Sequence, residues 1–235
     1  MTAKQILEAL KAAGSDNVKK IFLKHGATEP CYGVKVEDMK LLLKRLKPDN
    51  KVAIELFNSG IYDATYFAGL MGDGSLMSTK ELDDMAHKAY GGWASEYAVP
   101  WLAAENKEGF QLALQWIDSK SEPVAAGGWS TLSTLVSVKP DAELDSKRLS
   151  SLLKRVEKDI HKAPNRVRYT MNNFVIAVGS YVPALTAEAL SAAVKIGVVK
   201  VNMGETACRV PAADEYINKA KNKGTIGKKR KHIKC

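Results

Sequence analysis

Cysteine is scarce and unpatterned in this 235-residue chain: Cys31, Cys208 and Cys235 make an odd number with no C-x-x-C pair. That excludes a disulfide framework and a zinc knuckle, and a chain of this length buries a core without either. Aromatics are only 7% of residues, and nowhere does a run of the ~18 apolar residues needed for a membrane helix occur. The N-terminal stretch MTAKQILEALKAAG lacks the continuous apolar core of a signal peptide, so a cytoplasmic protein that spans no membrane is the expectation. His25, His87, His161 and His232 form no H-x-x-x-H or H-E-x-x-H pattern, and no Walker A or G-x-G-x-x-G sequence is present. Neither a metal nor a nucleotide cofactor is expected.

What the chain does have is positive charge in one place. Thirty-five Lys and Arg against 26 Asp and Glu give +9, yet Lys221, Lys223, Lys228, Lys229, Arg230, Lys231 and Lys234 all fall in the last fifteen residues, which hold no acid. Removing those seven leaves 28 against 26, a body of about +2. The composition divides the chain into a folded domain over 1–220 and a flexible basic tail over 221–235 suited to a polyanion, with nucleic acid ahead of anionic lipid because the tail is nearly devoid of apolar residues.

Apolar residues recur at helical spacing, as in Leu149, Leu152, Leu153, Val156 and Ile160, and start signals such as Asp49, Ser78 with Glu81, Ser121, Asp145 and Thr186 cut the chain into about a dozen helices. The fold class is all-α. Start signals about 30–40 residues apart suit either a compact bundle or an α-solenoid of helix pairs, and spacing alone leaves both open. One segment differs: GVVKVNMGETACRV alternates about Asn202-Met203-Gly204, predicting a β-hairpin near 198–210 with Val199, Val201, Cys208 and Val210 facing the body and Lys200 and Arg209 facing out.

The densest polar cluster follows Pro164, where Arg166, Arg168, Asn172 and Asn173 fall in the first two turns of a helix. A helix N-terminus offers free N–H groups and a positive dipole, so these residues form a candidate phosphate site. Trp93 and Trp129 each follow a Gly-Gly pair, which places them at helix starts near a surface, while Trp101 and Trp116 read as core. An aromatic on a concave surface can stack on a base.

The strings CYGVKVEDMKLLLKRLK, GGW from Gly91 and RVRYTMNNFVIAVGSYV resemble successive parts of the AlkD-like DNA alkylation repair family of HEAT-like repeat proteins. The resemblance implies a curved stack of antiparallel helix pairs whose concave face holds duplex DNA, with Tyr32, Trp93 and Trp129 lining that face. Active members are glycosylases that release cationic alkylated purines, using a Trp followed four residues later by an Asp that stabilises positive charge. Here Trp93 is followed at that position by Tyr97. Glu96 is one residue away, about 100° around an α-helix, and is expected to point elsewhere. An Arg pair is replaced by Gly128-Trp129-Ser130, and a second pocket Trp falls near Ile176.

These departures imply the non-glycosylase AlkF/AlkG branch, associated with branched DNA, in which Lys200 and Arg209 become DNA contacts along with Arg166, Arg168, Asn172 and Asn173. Lys228, Lys229, Arg230 and Lys231 would then add non-specific affinity. Two alternatives remain at this level: an alkylpurine DNA glycosylase with a rearranged pocket, and a helical protein-binding scaffold.

Overall fold

Local chemistry sets the helix starts where the sequence signals them. In the computed structural model, which describes residues 1–234, the Asp49 carboxylate accepts from the Val52 amide, Asp145 from the Arg148 amide, and Ser78 and Glu81 form a reciprocal capping box. Asn106, a residue type that commonly opens helices, acts at the other end. It ends a helix, and its buried amide donates to the carbonyls of Gly74 and Met77, pinning a loop of the preceding layer.

Thirteen α-helices are described: α1 (Ala3–Ala13), α2 (Asp16–Lys24), α3 (Val36–Leu43), α4 (Asn50–Asn58), α5 (Tyr62–Met71), α6 (Thr79–Lys88), α7 (Val99–Glu105), α8 (Gly109–Trp116), α9 (Glu122–Val138), α10 (Ser146–Asp159), α11 (Asn165–Tyr181), α12 (Thr186–Ile196) and α13 (Ala213–Asn222). A π-helical stretch, Trp93–Ala98, runs directly into α7. Short connections turn the chain back on itself, so α4, α6, α8 and α10 form an outer row behind α5, α7, α9 and α11. The inner helices touch in succession, α9 against α11 most extensively. This is the α-solenoid that the family resemblance implied and that helix spacing alone left open beside a bundle.

The inner row is the most deeply buried part. Every residue of α5 is buried, including Asp63, and the Gly-Gly pair before Trp129 sits inside α9 rather than at its start. A Cβ on Gly128 would lie 2.8 Å from the Ile117 amide nitrogen, so the glycine lets the end of α8 approach α9. Trp129 is consequently 0% exposed and packs on Phe174, which removes it from the concave face where the resemblance put it. Trp101 and Trp116 are core as expected.

Among the described residues there is no strand, so the β-hairpin expected at 198–210 is corrected to an irregular loop. Its polar backbone groups are used elsewhere: Asn165 donates from Nδ2 to the Asn202 carbonyl (3.0 Å) and accepts the Asn202 amide (2.7 Å), while the Asn202 and Thr206 side chains accept the amides of Gly204 and Cys208. Those bonds replace a ladder. Val199, Val201 and Val210 do pack on the body. Cys208 is exposed instead, its Sγ 3.9 Å from His25 Nδ1.

The basic C-terminal segment is also unlike the free tail expected for 221–235, of which Cys235 lies outside the described residues. Residues 221 and 222 close α13, and the remainder crosses the C-terminal ends of the inner helices. The Gly227 amide donates to the Ser180 carbonyl (2.9 Å) and the Arg230 amide to that of Ser137 (2.8 Å). Lys229 Nζ reaches the Val136 carbonyl (2.9 Å) and Asp141 (2.8 Å), Lys234 Nζ reaches Glu105 (3.1 Å) and the Gly72 carbonyl, and Ile233 packs on the N-terminal core. Helix C-termini carry unsatisfied carbonyls and negative dipole ends, which is why a lysine-rich segment seats there.

Candidate nucleic-acid interface

The N-terminal ends of α5, the π-helical stretch, α9 and α11 converge on a cavity of about 370 Å³, roofed by the loop around Met203. Tyr62, Trp93, Glu96, Glu122 and Arg166 line it. Trp93 is held among three rings, with centroids 4.7 Å from Phe22, 4.8 Å from Tyr62 and 4.4 Å from Tyr66. Burial pushes the Tyr62 phenol well above its usual range, so it stays neutral.

Glu96 enters this cavity, contrary to the expectation from α-helical geometry. The chain from Trp93 to Ala98 is π-helical, and its wider turn changes the angular step that put Glu96 on another face. The carboxylate is not available to a ligand, however. Arg166 donates from Nε to Oε1 (2.6 Å) and from Nη2 to Oε2 (2.7 Å), and its guanidinium lies 4.5 Å from the Tyr169 ring centre. Burial pulls the Arg166 pKa down, but the hydrogen bond and charge of Glu96 outweigh it and hold the guanidinium above its ordinary value. The Arg166 amide also donates to Glu122 (2.6 Å), so the start of α11 has a carboxylate of its own protein as its anion.

Arg166 is therefore a structural cation rather than the free phosphate ligand the sequence suggested. Asn172 is likewise corrected: it is 2% exposed, and its amide donates to the Pro211 carbonyl (2.9 Å), fastening the end of the loop. Tyr32 lies away from the cavity, half-buried against the N-terminal core, with its amide donating to Asp63. Asp63 also accepts from Val34 (2.7 Å), and Gly33 between them has φ +74°, with the Lys19 amide nitrogen 2.4 Å from where a Cβ would stand. The Tyr-Gly-Val string is thus a backbone clasp. Burial and the Asp63 charge push the neighbouring Cys31 thiol up to about 12.

Arg168, Lys200 and Arg209 do come together. With Asn165 they line a shallow depression beside the cavity, and no acid joins them. Arg168 Nε is buried without a hydrogen-bond partner. From the cavity a groove of about 320 Å³ continues along the inner helices over Tyr97, Tyr169, Asn173 and Thr134 to Arg230. Of the C-terminal cations, Lys228, Arg230 and Lys231 are exposed and in no ion pair among the described residues, whereas Lys229 is committed to Asp141. Among the described residues no group of side chains suits a metal ion, and no single helix is long and apolar enough to cross a membrane.

Residues 6–210 match the family described as DNA alkylation repair enzyme. The chain belongs to the DNA alkylation repair family. Uncharacterized proteins of Listeria innocua and Listeria monocytogenes are each 30% identical to it over 228 residues, covering 95% of this chain and 99% of theirs. A solved structure at 33% identity superposes with a TM-score of 0.92 over the whole of both chains; it is described as a new family of proteins related to the HEAT-like repeat DNA glycosylases with affinity for branched DNA structures. The solenoid of this family member is accordingly HEAT-like.

Reading the sequence missed three features of this site: the Asp63 clasp, the Arg166–Glu96 pair and the anchoring of the C-terminal segment. Only the first left a local signal, a lone acid inside the apolar run IYDATYFAGLM.

Proposed function

We propose that this DNA alkylation repair family member binds DNA through backbone charge and shape, favours branched or distorted forms, and does not excise bases. The observation that carries the binding is the gathering of Arg168, Lys200 and Arg209 around the start of α11 with no acid to neutralise them. The affinity of the structurally similar protein for branched DNA supports the choice of partner. The absence of excision rests on the two carboxylates that share the cavity with Trp93: Glu96 already balances the Arg166 guanidinium and Glu122 is taken by the Arg166 amide at the start of α11, so each already has a partner within the chain where a developing cationic base would need one.

Fluorescence anisotropy with a labelled four-way junction and a linear duplex of equal length, at several salt concentrations, tests the binding. Tighter junction binding that persists as salt rises is expected; absence of binding to both at physiological salt overturns it and favours a protein-binding scaffold. Incubation with methylated duplex tests the chemistry, and release of 3-methyladenine or 7-methylguanine above the spontaneous rate restores the glycosylase reading. That reading has one observation in its favour, the entry of Glu96 into the Trp93 cavity.

A further inference from the structure

The DNA-binding reading leaves Cys208 without a role. Its thiol is exposed, in no disulfide, and stands where two depressions meet. In one it lies with Arg168, Lys200 and Arg209. In the other it lies with Lys24, His25 and Glu205, and its Sγ is 3.9 Å from His25 Nδ1. Cys31 offers the contrast: it is buried, and its thiol, pushed up to about 12, stays protonated and inert.

Two segments far apart in sequence make this meeting. His25 ends α2, where its amide is held by the carbonyls of Ile21 (3.1 Å) and Phe22 (3.0 Å). The loop is seated against that helix end: Gly204 has φ +74°, and a Cβ on it would lie 2.7 Å from the Lys24 carbonyl oxygen. Thr206 then donates to the Met203 carbonyl (3.0 Å) and accepts the Cys208 amide (3.2 Å), holding the cysteine beside the imidazole. A neutral imidazole nitrogen can accept the thiol proton, and the thiolate is the nucleophilic form of the residue. The depression on the other side holds three cations and no acid, and Arg168 Nε is buried there without a hydrogen-bond partner. Negative charge is what that surface favours next to the sulfur.

We propose that Cys208 is a site of reversible modification by a small anionic disulfide, and that the adduct closes the cationic depression to DNA. In the step, His25 takes the thiol proton and Sγ attacks one sulfur of the disulfide. A new Sγ–S bond forms as the disulfide's own S–S bond breaks, and the second sulfur leaves with the electron pair as a thiolate, which takes up a proton from His25 or water. Cys208 is thereby oxidised and the leaving half reduced, and a thiol reductant reverses the exchange. The carboxylates of the retained half meet Arg168, Lys200 and Arg209 in place of phosphates. That closure rests on the proposed DNA binding, whereas the reaction at the sulfur does not.

The test uses the full chain carrying Cys235→Ser, so that the thiol followed is Cys208, with glutathione disulfide as the anionic probe and cystamine as the cationic one. Intact mass and peptide mapping follow the adduct. Relative to a free cysteine, Cys208 is expected to prefer the anionic probe about tenfold at low salt, and the preference shrinks as salt rises. Arg168→Ala/Lys200→Ala/Arg209→Ala removes the preference, and His25→Ala slows both probes several-fold. Failure to form the adduct, a preference no greater than that of free cysteine, or rates unchanged by His25→Ala overturns the site. Fluorescence anisotropy on a labelled duplex then reads the consequence: the glutathione adduct binds about tenfold more weakly with a shallower salt slope, reductant restores both, and Cys208→Ser is insensitive to the disulfide. Unchanged binding by the adduct overturns the closure. Absence of DNA binding by the unmodified chain overturns the proposed function and the closure with it, while the adduct kinetics still decide the modification site.

Discussion

The two ends of the inner helices solve the same problem with opposite partners. At the N-terminal ends, free amides and positive dipole ends face carboxylates supplied by the chain itself: Glu122 accepts the Arg166 amide, and Glu96 then takes the Arg166 side chain. At the C-terminal ends, free carbonyls face lysines, with Lys229 on Val136 and Lys234 on Gly72. Each end spends some cations internally and leaves three at its margin. The lesson is that basic residues clustered in sequence are not an interface until the internal pairs have been subtracted.

The two ends should differ in how much they cost to break. Glu96→Ala strands a half-buried guanidinium and is expected to lose about 3 kcal/mol of stability by urea unfolding, while Glu96→Leu combined with Arg166→Met regains most of it. A loss under about 1 kcal/mol for Glu96→Ala would mean that the pair organises the cavity without supporting the fold. Asp63→Asn, also at the N-terminal ends, replaces an acceptor of two backbone amides with a group that meets one of them donor to donor. It should cost about 2–3 kcal/mol, and a two-state denaturant titration measures it.

At the C-terminal ends the losses should be smaller, because the carboxylates that pair with Lys229 and Lys234 are more open to water than Glu96: Asp141 is 52% and Glu105 23% exposed, against 4%. Lys229→Met and Lys234→Met each remove a lysine from helix carbonyls and a carboxylate, and together are expected to cost about 1–2 kcal/mol. A larger loss than that of Glu96→Ala would invert the comparison and make the C-terminal segment the main support of the stack.

Ser78→Ala, which removes a hydroxyl bonded only to Glu81, sets the scale of an ordinary cap at about 1 kcal/mol. The Ser78 amide and hydroxyl hold the Glu81 carboxyl below its usual value. A depressed carboxylate stabilises the fold above its unfolded pKa and stops doing so as pH falls through the folded one. The difference between the unaltered chain and Ser78→Ala is therefore full at neutral pH and narrows in acid, which pH-resolved melts can follow.

Much of the architecture was legible because it rests on local signals. The period of Leu149, Leu152, Leu153 and Val156 places α10 correctly, and Ser78 with Glu81 starts α6. The loop at 198–210 was misread because alternation of Val with polar residues describes which side chains face the body and is silent on whether two backbones pair. Trp129 was misread for a related reason: Gly-Gly signals a turn or a close helix contact, and only the neighbouring α8 distinguishes them.

By itself the sequence determined an all-helical chain with a nearly neutral body, excess charge at its C-terminal end, and candidate cations at the start of α11 and in the loop that follows α12. These follow from period, capping and composition, which act over a few residues. Only the tertiary structure decided which cations are free, because Arg166 meets Glu96 seventy residues away and Lys229 meets Val136 ninety-three away. Charge pairing depends on distance in space, and that is set by how the helices stack rather than by where the residues fall in the chain.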